Sequence, residues 1–147
     1  MNKFSEHFSY DEMTLSQTAS RKGIDNTPPE YVKKNLERLC LKILEPARAA
    51  LGALIVSSAY RCKALNKAVG GSDSSGHPDG YCADIVPVKV TKIEFARWVK
   101  NNCEFDQIIL EFGTKDDPAW VHVSADPRNR RQVLQILRGT GYISVEL

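Results

Sequence analysis

Phe105-Asp106-Gln107-Ile108-Ile109-Leu110-Glu111 and Ala119-Trp120-Val121-His122-Val123-Ser124 are two strand-like runs. The turn-rich Gly113-Thr114-Lys115-Asp116-Asp117-Pro118 joins them, so the pair predicts an antiparallel hairpin. Alternation along the second run puts Trp120, His122 and Ser124 on one face and Val121 and Val123 on the other. The polar face should look into a cleft while the valines pack inward. Glu111, at the end of the first run, then falls nearly opposite Ala119 or Trp120.

Upstream, helices come first. Ser9-Tyr10-Asp11-Glu12 has the capping-box pattern that opens a short helix, and a polar loop through Gly23-Ile24-Asp25-Asn26 follows. Thr27-Pro28-Pro29-Glu30 predicts a second start, with Thr27 as N-cap and Pro28 at the first helical position. Val32, Leu36, Leu39, Ile43 and Ala47 recur at helical spacing and should face the core. Pro46 should bend or interrupt this helix, and Gly52 should end it. Residues 53–60 read as a buried strand, 61–69 as a short helix stopped by Gly70-Gly71, 72–80 as a polar loop and 82–86 as a strand. Thr91-Lys92-Ile93-Glu94 is a further capping box, opening a helix to about Asn102. Residues 132–137 and 142–147, around Gly139-Thr140-Gly141, predict a closing hairpin. There is no regular strand–helix–strand alternation. The expected class is α+β, a largely antiparallel sheet with N-terminal helices packed against it, in one domain spanning 1–147.

The chain has 147 residues, 42% apolar and 26% charged, with a formal charge of +2. That charge is too small to argue for nucleic acid, and the one basic cluster, Arg128-Asn129-Arg130-Arg131, reads as a solvated turn. The four cysteines, Cys40, Cys62, Cys82 and Cys103, form no close pair, and buried free thiols are expected. The N-terminus shows no apolar signal core, and no window approaches the ~18 apolar residues of a membrane span. The expectation is a monomer made in the cytoplasm, with no membrane insertion.

The chemistry concentrates in Ser75-Gly76-His77-Pro78-Asp79-Gly80-Tyr81-Cys82-Ala83-Asp84. Of three histidines in the chain, His77 lies here and His122 in the strand quoted above. Together with Asp84 they can supply three ligands to one zinc ion, leaving the fourth tetrahedral position to water, as catalytic sites do. Two imidazoles and one carboxylate suit zinc better than magnesium or calcium, which favour all-oxygen shells. Taken singly, each residue also fits a structural role: a surface loop histidine, a turn aspartate, a hydrogen-bonded strand histidine. His7, far from the motif in sequence, is expected to be structural.

Ser75, His77, Gly80 and Asp84 match the pattern S-x-H-x-x-G-x-A-x-D, with Cys82 at the small-residue position. With Trp120-Val121-His122-Val123-Ser124, this resembles the M15 family of zinc D-alanyl-D-alanine peptidases, in particular the compact phage and prophage members. Ser57-Ser58-Ala59-Tyr60-Arg61, Leu65-Asn66-Lys67-Ala68-Val69-Gly70-Gly71 and the strand 105–111 are similar to the family's corresponding segments, so the likeness covers nearly the whole chain.

The resemblance implies a Hedgehog/DD-peptidase-like fold, Zn2+ held by His77, Asp84 and His122, and hydrolysis next to D-alanine in peptidoglycan stem peptides. It also implies action on the cell wall after phage-type release. Arg61 would bind a substrate carboxylate or steady the oxyanion. Ser75, Tyr60 and Trp120 would stand beside the substrate or the metal ligands. Several members carry an acidic residue three positions before the last histidine, where this chain has Ala119. Glu111 is the expected replacement as proton acceptor, with Asp116 and Asp117 as alternatives. A non-catalytic wall-binding or virion component keeping the fold is the rival reading.

Overall fold

The side-chain parity of three adjacent strands sets the architecture. A computed structural model describes residues 2–147. Its main sheet has six strands in the order β3-β4-β6-β5-β7-β8. These are β3 (Leu54–Ser58), β4 (Cys82–Pro87), β5 (Gln107–Glu111), β6 (Trp120–Ser124), β7 (Gln132–Ile136) and β8 (Ile143–Ser144). On β4, β5 and β6 the residues Ala83, Ile85, Ile108, Leu110, Val121 and Val123 all enter the hydrophobic core. Their alternates, among them Asp84, Ile109, Glu111 and His122, line a cleft on the opposite face. The valines pack inward, as alternation requires.

The core face is covered by helices. Val32, Leu36 and Leu39 of α3 (Glu30–Leu39) continue into Ile43 and Leu44 of a π-helical segment (Cys40–Leu44), then Ala47 of α4 (Glu45–Leu51), and all are buried. The predicted interruption near Pro46 takes the form of this π turn, in which Glu45 N donates to Cys40 O. Widening the turn is one way a helix accommodates a proline, which lacks an N–H and crowds the carbonyl four residues back. Gly52 ends the helix with φ 92. α6 (Lys92–Asn102) adds Phe95, Ala96 and Val99 to the core behind the Thr91 capping box.

Several elements depart from expectation. Thr27 is not the N-cap: its hydroxyl donates to Asp25 Oδ1 (2.7 Å), and α3 starts at Glu30 with Pro29 as cap residue. The loop through Gly23–Asn26 is irregular as expected, but a helix that the sequence reading did not assign precedes it, α2 (Gln17–Lys22), capped by Ser16 and closed by Gly23 in the left-handed region. α1 (Tyr10–Thr14) carries the predicted Ser9 capping box. Before it, β1 (Lys3–Ser5) and β2 (Phe8–Ser9) form a small second sheet. Glu45 anchors it, accepting from Ser5 Oγ (2.5 Å) and His7 N (2.8 Å) and contacting His7 Nδ1 (2.8 Å).

The closing hairpin β7–β8 forms, but β7 also pairs parallel to β5, the one parallel ladder in the main sheet. The chain crosses from β6 to β7 through the Arg-rich segment, which is a structural loop. Arg130 donates to Asp106 from its backbone N, Nε and Nη2 at 2.9, 2.9 and 2.7 Å. Arg131 sits 4.5 Å over the Phe105 ring and donates to Cys103 O and Lys100 O. Arg128 pairs with Asp126 at 2.7 Å.

Asp106 is almost fully buried, and burial raises its carboxyl pKa; the Arg130 hydrogen bonds outweigh that and hold it below the usual value. A lowered folded-state pKa stabilises the fold above the unfolded value of about 3.9, and that stabilisation is lost as pH falls through the folded value. Asp106→Asn should therefore cost about 1.5 kcal/mol at neutral pH, because Arg130 stays partly solvated. In urea titrations the gap to wild type should shrink below about pH 4. A gap independent of pH would contradict this anchor.

Candidate active site

His77 opens a short 3-10 turn (His77–Asp79) that leads out of the 72–76 loop. Ser75 Oγ accepts from His77 N (3.1 Å), and the ring's Nδ1 donates to the carbonyl of Ala59, which leaves Nε2 facing the sheet. Gly80 closes the turn at φ 75, and a Cβ there would come within 2.9 Å of Val32 Cγ1 and Val32 O. Only glycine lets the turn lie this close to α3 while delivering the chain into β4.

β4 and β6 then bring the rest together. Their register sets Asp84 directly opposite His122. Asp84 Oδ1 is 3.5 Å from His77 Nε2 and 3.1 Å from His122 Nδ1, and all three residues are buried. Ser57 Oγ donates to Asp84 O (3.2 Å) and ties the strand to β3. Burial pushes the Asp84 carboxyl up, but His77 and His122 outweigh it and hold it below the usual carboxylate range. Burial draws the His77 imidazole down, while Cys82 and Asp84 push it up to about 9. His122 is raised well above its ordinary value by the same neighbours, against burial.

Cys82, expected as a buried free thiol at the motif's small-residue position, is buried and also stands against the two imidazoles. It occupies the same face of β4 as Asp84, and burial, which raises a thiol, is overcome by His77 and His122, which bring it to about 7. The ligating atoms of His77, Cys82 and His122 lie within 4.8 Å of one another, as do those of Asp84, Glu111 and His122. The signal was available: Cys82 precedes Asp84 by two positions, which on a strand is the same side.

Glu111 stands opposite Trp120 in the β5–β6 register and lines the cleft. Trp120 Nε1 donates to Glu111 Oε1 at 2.6 Å, and the Trp120 ring packs edge-on against Phe112 at 5.5 Å. Burial raises the Glu111 pKa, His122 opposes that and Asp84 adds to it, leaving it raised overall. Asp116 and Asp117 are exposed on the hairpin loop and do not line the cleft; Asp117 pairs with Lys92 at 3.1 Å.

Arg61 lines the cleft with Nη1 3.9 Å from Asp84 Oδ2. Its Nε donates to Asn66 Oδ1 (3.2 Å) and its Nη1 to Ser58 Oγ (3.3 Å). Asn66, buried and unremarked in the sequence, also donates to Ser72 O (2.9 Å) and so fixes both the arginine and the loop. Gly71 makes room for it, since a Cβ there would lie 2.1 Å from Asn66 Oδ1.

Tyr60, expected beside the substrate or the ligands, is only 6% exposed and belongs to the core cluster; it does not line the cleft. Its backbone is held between Met13 O and Asn26 Nδ2. His7 lies in the turn between β1 and β2, against Glu45.

The cleft has a volume of about 680 Å³. Its floor is the Asp84–His122 pair, with Arg61 and the 69–76 loop on one side and Glu111, Trp120 and Tyr142 on the other. A family model described as Peptidase M15 matches residues 6–124. The chain belongs to the peptidase M15 family. A search of curated proteins finds no match. The family match spans every expected site residue from Tyr60 to His122. It leaves out β7 and β8, whose hairpin contributes Leu134 and Tyr142 to the cleft wall.

A peptidase of this family is a hydrolase, and the donor set suits the zinc the family generally uses. Two imidazoles and a carboxylate of borderline hardness converge. One imidazole is oriented by a backbone carbonyl, the outer hydrogen bond typical of a metal-ligating histidine. A metal ion held there requires neutral imidazoles and an ionised carboxylate, so its binding is pH-dependent. Among the described residues, no helix is long and apolar enough to cross a membrane.

Proposed function

We propose that this chain is a zinc-dependent peptidase that hydrolyses a peptide bond next to D-alanine in peptidoglycan stem peptides, on the Hedgehog/DD-peptidase-like frame of its family. The observation that carries the reading is the convergence of His77 Nε2 and His122 Nδ1 on Asp84 Oδ1, with the Glu111 carboxylate beside them in the same cleft.

In this reading His77, Asp84 and His122 hold the ion. Zinc bound there supplies Lewis acidity and a water acidified towards neutral pH. Glu111 accepts the proton of the attacking water and hands it to the leaving amine. Its raised pKa suits both duties, and Trp120 Nε1 fixes which oxygen is free. Arg61, steadied by Asn66 and Ser58, offers a guanidinium to a substrate carboxylate or to the developing oxyanion. Ser75 holds the His77 backbone, and Trp120 forms part of the wall against which the peptide lies. The wall substrate calls for release from the cytoplasm of the kind that phage lysis provides.

The rival wall-binding role requires no proton acceptor at the metal ligands, and the placement of Glu111 weighs against it. Synthetic stem peptides separate the two. The zinc-loaded protein should release D-alanine, or split a cross-linked dimer, only when the residue beside the scissile bond is D-alanine. Equal cleavage of the L-alanine peptide would contradict the substrate assignment.

A further inference from the structure

Strand pairing lays the cleft-facing residues in a row across the sheet. Asp84 pairs with His122, His122 with Ile109, Ile109 with Leu134 and Leu134 with Ser144, so the row runs from β4 to β8. Tyr142 stands two positions before Ser144, where alternation keeps it on the same face. Ile109, Leu134 and Tyr142 all line the cleft. The hairpin that carries the last two is tied down on both sides. Phe112 N donates to Ile136 O (2.8 Å), and Val145 N donates to Val133 O (3.0 Å). At the turn, Thr140 Oγ1 accepts from Leu137 N (3.0 Å) and donates to Leu137 O (2.9 Å). Val145 and Leu147 pack against the core cluster.

The two ends of the cleft differ in chemistry. Beside β3 it offers Arg61, Ser57 and Ser58; across β5 and β7 it offers the apolar strip of Ile109, Leu134 and the Tyr142 ring. Tyr142 is 52% exposed, a large aromatic left open at the rim of a cleft whose floor is buried. Burial and the Glu111 and Asp84 carboxylates raise its phenol pKa, against His122, so the ring meets a ligand uncharged. An aromatic ring brings a large contact area at the cost of few rotors. No step of the proposed reaction uses it, and the family match ends before the hairpin begins.

We propose that Leu134 and Tyr142 form a peptide-binding subsite in which the Tyr142 ring covers the part of the stem peptide running away from Arg61, an assignment that rests on the peptidase reading. The hairpin then makes substrate length matter. In the strand order, β6 and β8 are separated by β5 and β7. Three strand spacings of about 4.8 Å carry the strip ~14 Å from His122. An extended peptide rises about 3.3 Å per residue, so roughly four residues span it. A stem pentapeptide with its last bond at the metal ligands covers the strip. An N-acetylated D-alanyl-D-alanine dipeptide placed the same way stops short of the hairpin.

Steady-state kinetics on these two substrates test the subsite. Tyr142→Ala should raise KM for the pentapeptide about tenfold, leave kcat within about twofold, and leave kcat/KM for the dipeptide unchanged. Tyr142→Phe keeps the ring and should behave as wild type. Calorimetric titration of the pentapeptide into zinc-loaded Glu111→Gln, with and without Tyr142→Ala, should show the same loss of about tenfold in Kd with no turnover. Zinc content and circular dichroism should match wild type in each variant. A Tyr142→Ala enzyme equal to wild type on the pentapeptide, or one that loses as much on the dipeptide, would overturn the subsite and leave the peptidase reading standing. A zinc-loaded wild type that neither cleaves nor binds the pentapeptide would overturn that reading, and the subsite with it.

Discussion

Zinc retention should collapse in His77→Ala and in His122→Ala, by more than about 100-fold in affinity, because each removes a direct ligand where even outer-shell changes cost 10- to 100-fold. Peptidase activity should fall to background in both. The expectation follows from geometry: the two imidazoles reach the same Asp84 oxygen, at 3.5 and 3.1 Å, from a loop and a strand that meet only in the fold. Asp84→Asn should also weaken binding, because it leaves the site without its carboxylate charge. His7→Ala is the internal control. His7, in the turn between β1 and β2, bonds Glu45 of α4, so its loss should leave metal content unchanged. Metal analysis of the purified proteins after zinc reconstitution and dialysis reads all four. Unchanged zinc in His77→Ala and His122→Ala would place the metal elsewhere.

Glu111→Gln should keep the zinc and lose the reaction. Glutamine preserves the length and the oxygen that accepts from Trp120 Nε1, but it cannot take a proton from water. Loss of a positioned general base typically costs 10²- to 10⁴-fold, and the effect should appear in kcat with KM nearly unchanged. Asp116→Asn and Asp117→Asn should change little, since both carboxylates face solvent away from the cleft. If Glu111→Gln turned over normally while either loop variant failed, the proton acceptor would be misassigned.

Much of this fold is written in local patterns. The capping boxes at Ser9 and Thr91 form as read, because each needs only four consecutive residues. The alternation in 120–124 puts His122 towards the cleft and the valines into the core, and the turn at 113–118 brings Glu111 opposite Trp120. What the sequence hides is pairing at a distance. The β7 run reads as a strand, but nothing local says that it lies parallel to β5, since that depends on Asp106 capturing Arg130 across the loop. The basic cluster at 128–131 is exposed, as its composition predicts, and Arg130 and Arg131 also tie it to Asp106 and the Phe105 ring.

Thr27 is not the cap because the helix starts later, at Glu30 with Pro29 as cap residue, while the backbone N and hydroxyl of Thr27 bond Asp25 in the preceding loop. Tyr60 sits in a segment similar to the family's, yet its ring faces the core, an orientation that residue type alone does not specify. The site shows the same division. The histidines and Asp84 stand out by type and spacing, whereas Asn66 and Cys82 are ordinary residues until the fold places them against Arg61 and the imidazoles.

The central claim is that this cleft cuts cell-wall peptides. Mass spectrometry of purified peptidoglycan after incubation with the zinc-loaded protein tests it most directly. Fragments newly ended at, or shortened by, D-alanine are predicted, absent from the Glu111→Gln digest and from a chelator-treated control. A protein that keeps stoichiometric zinc in His77, Asp84 and His122 yet releases no such fragment would contradict it.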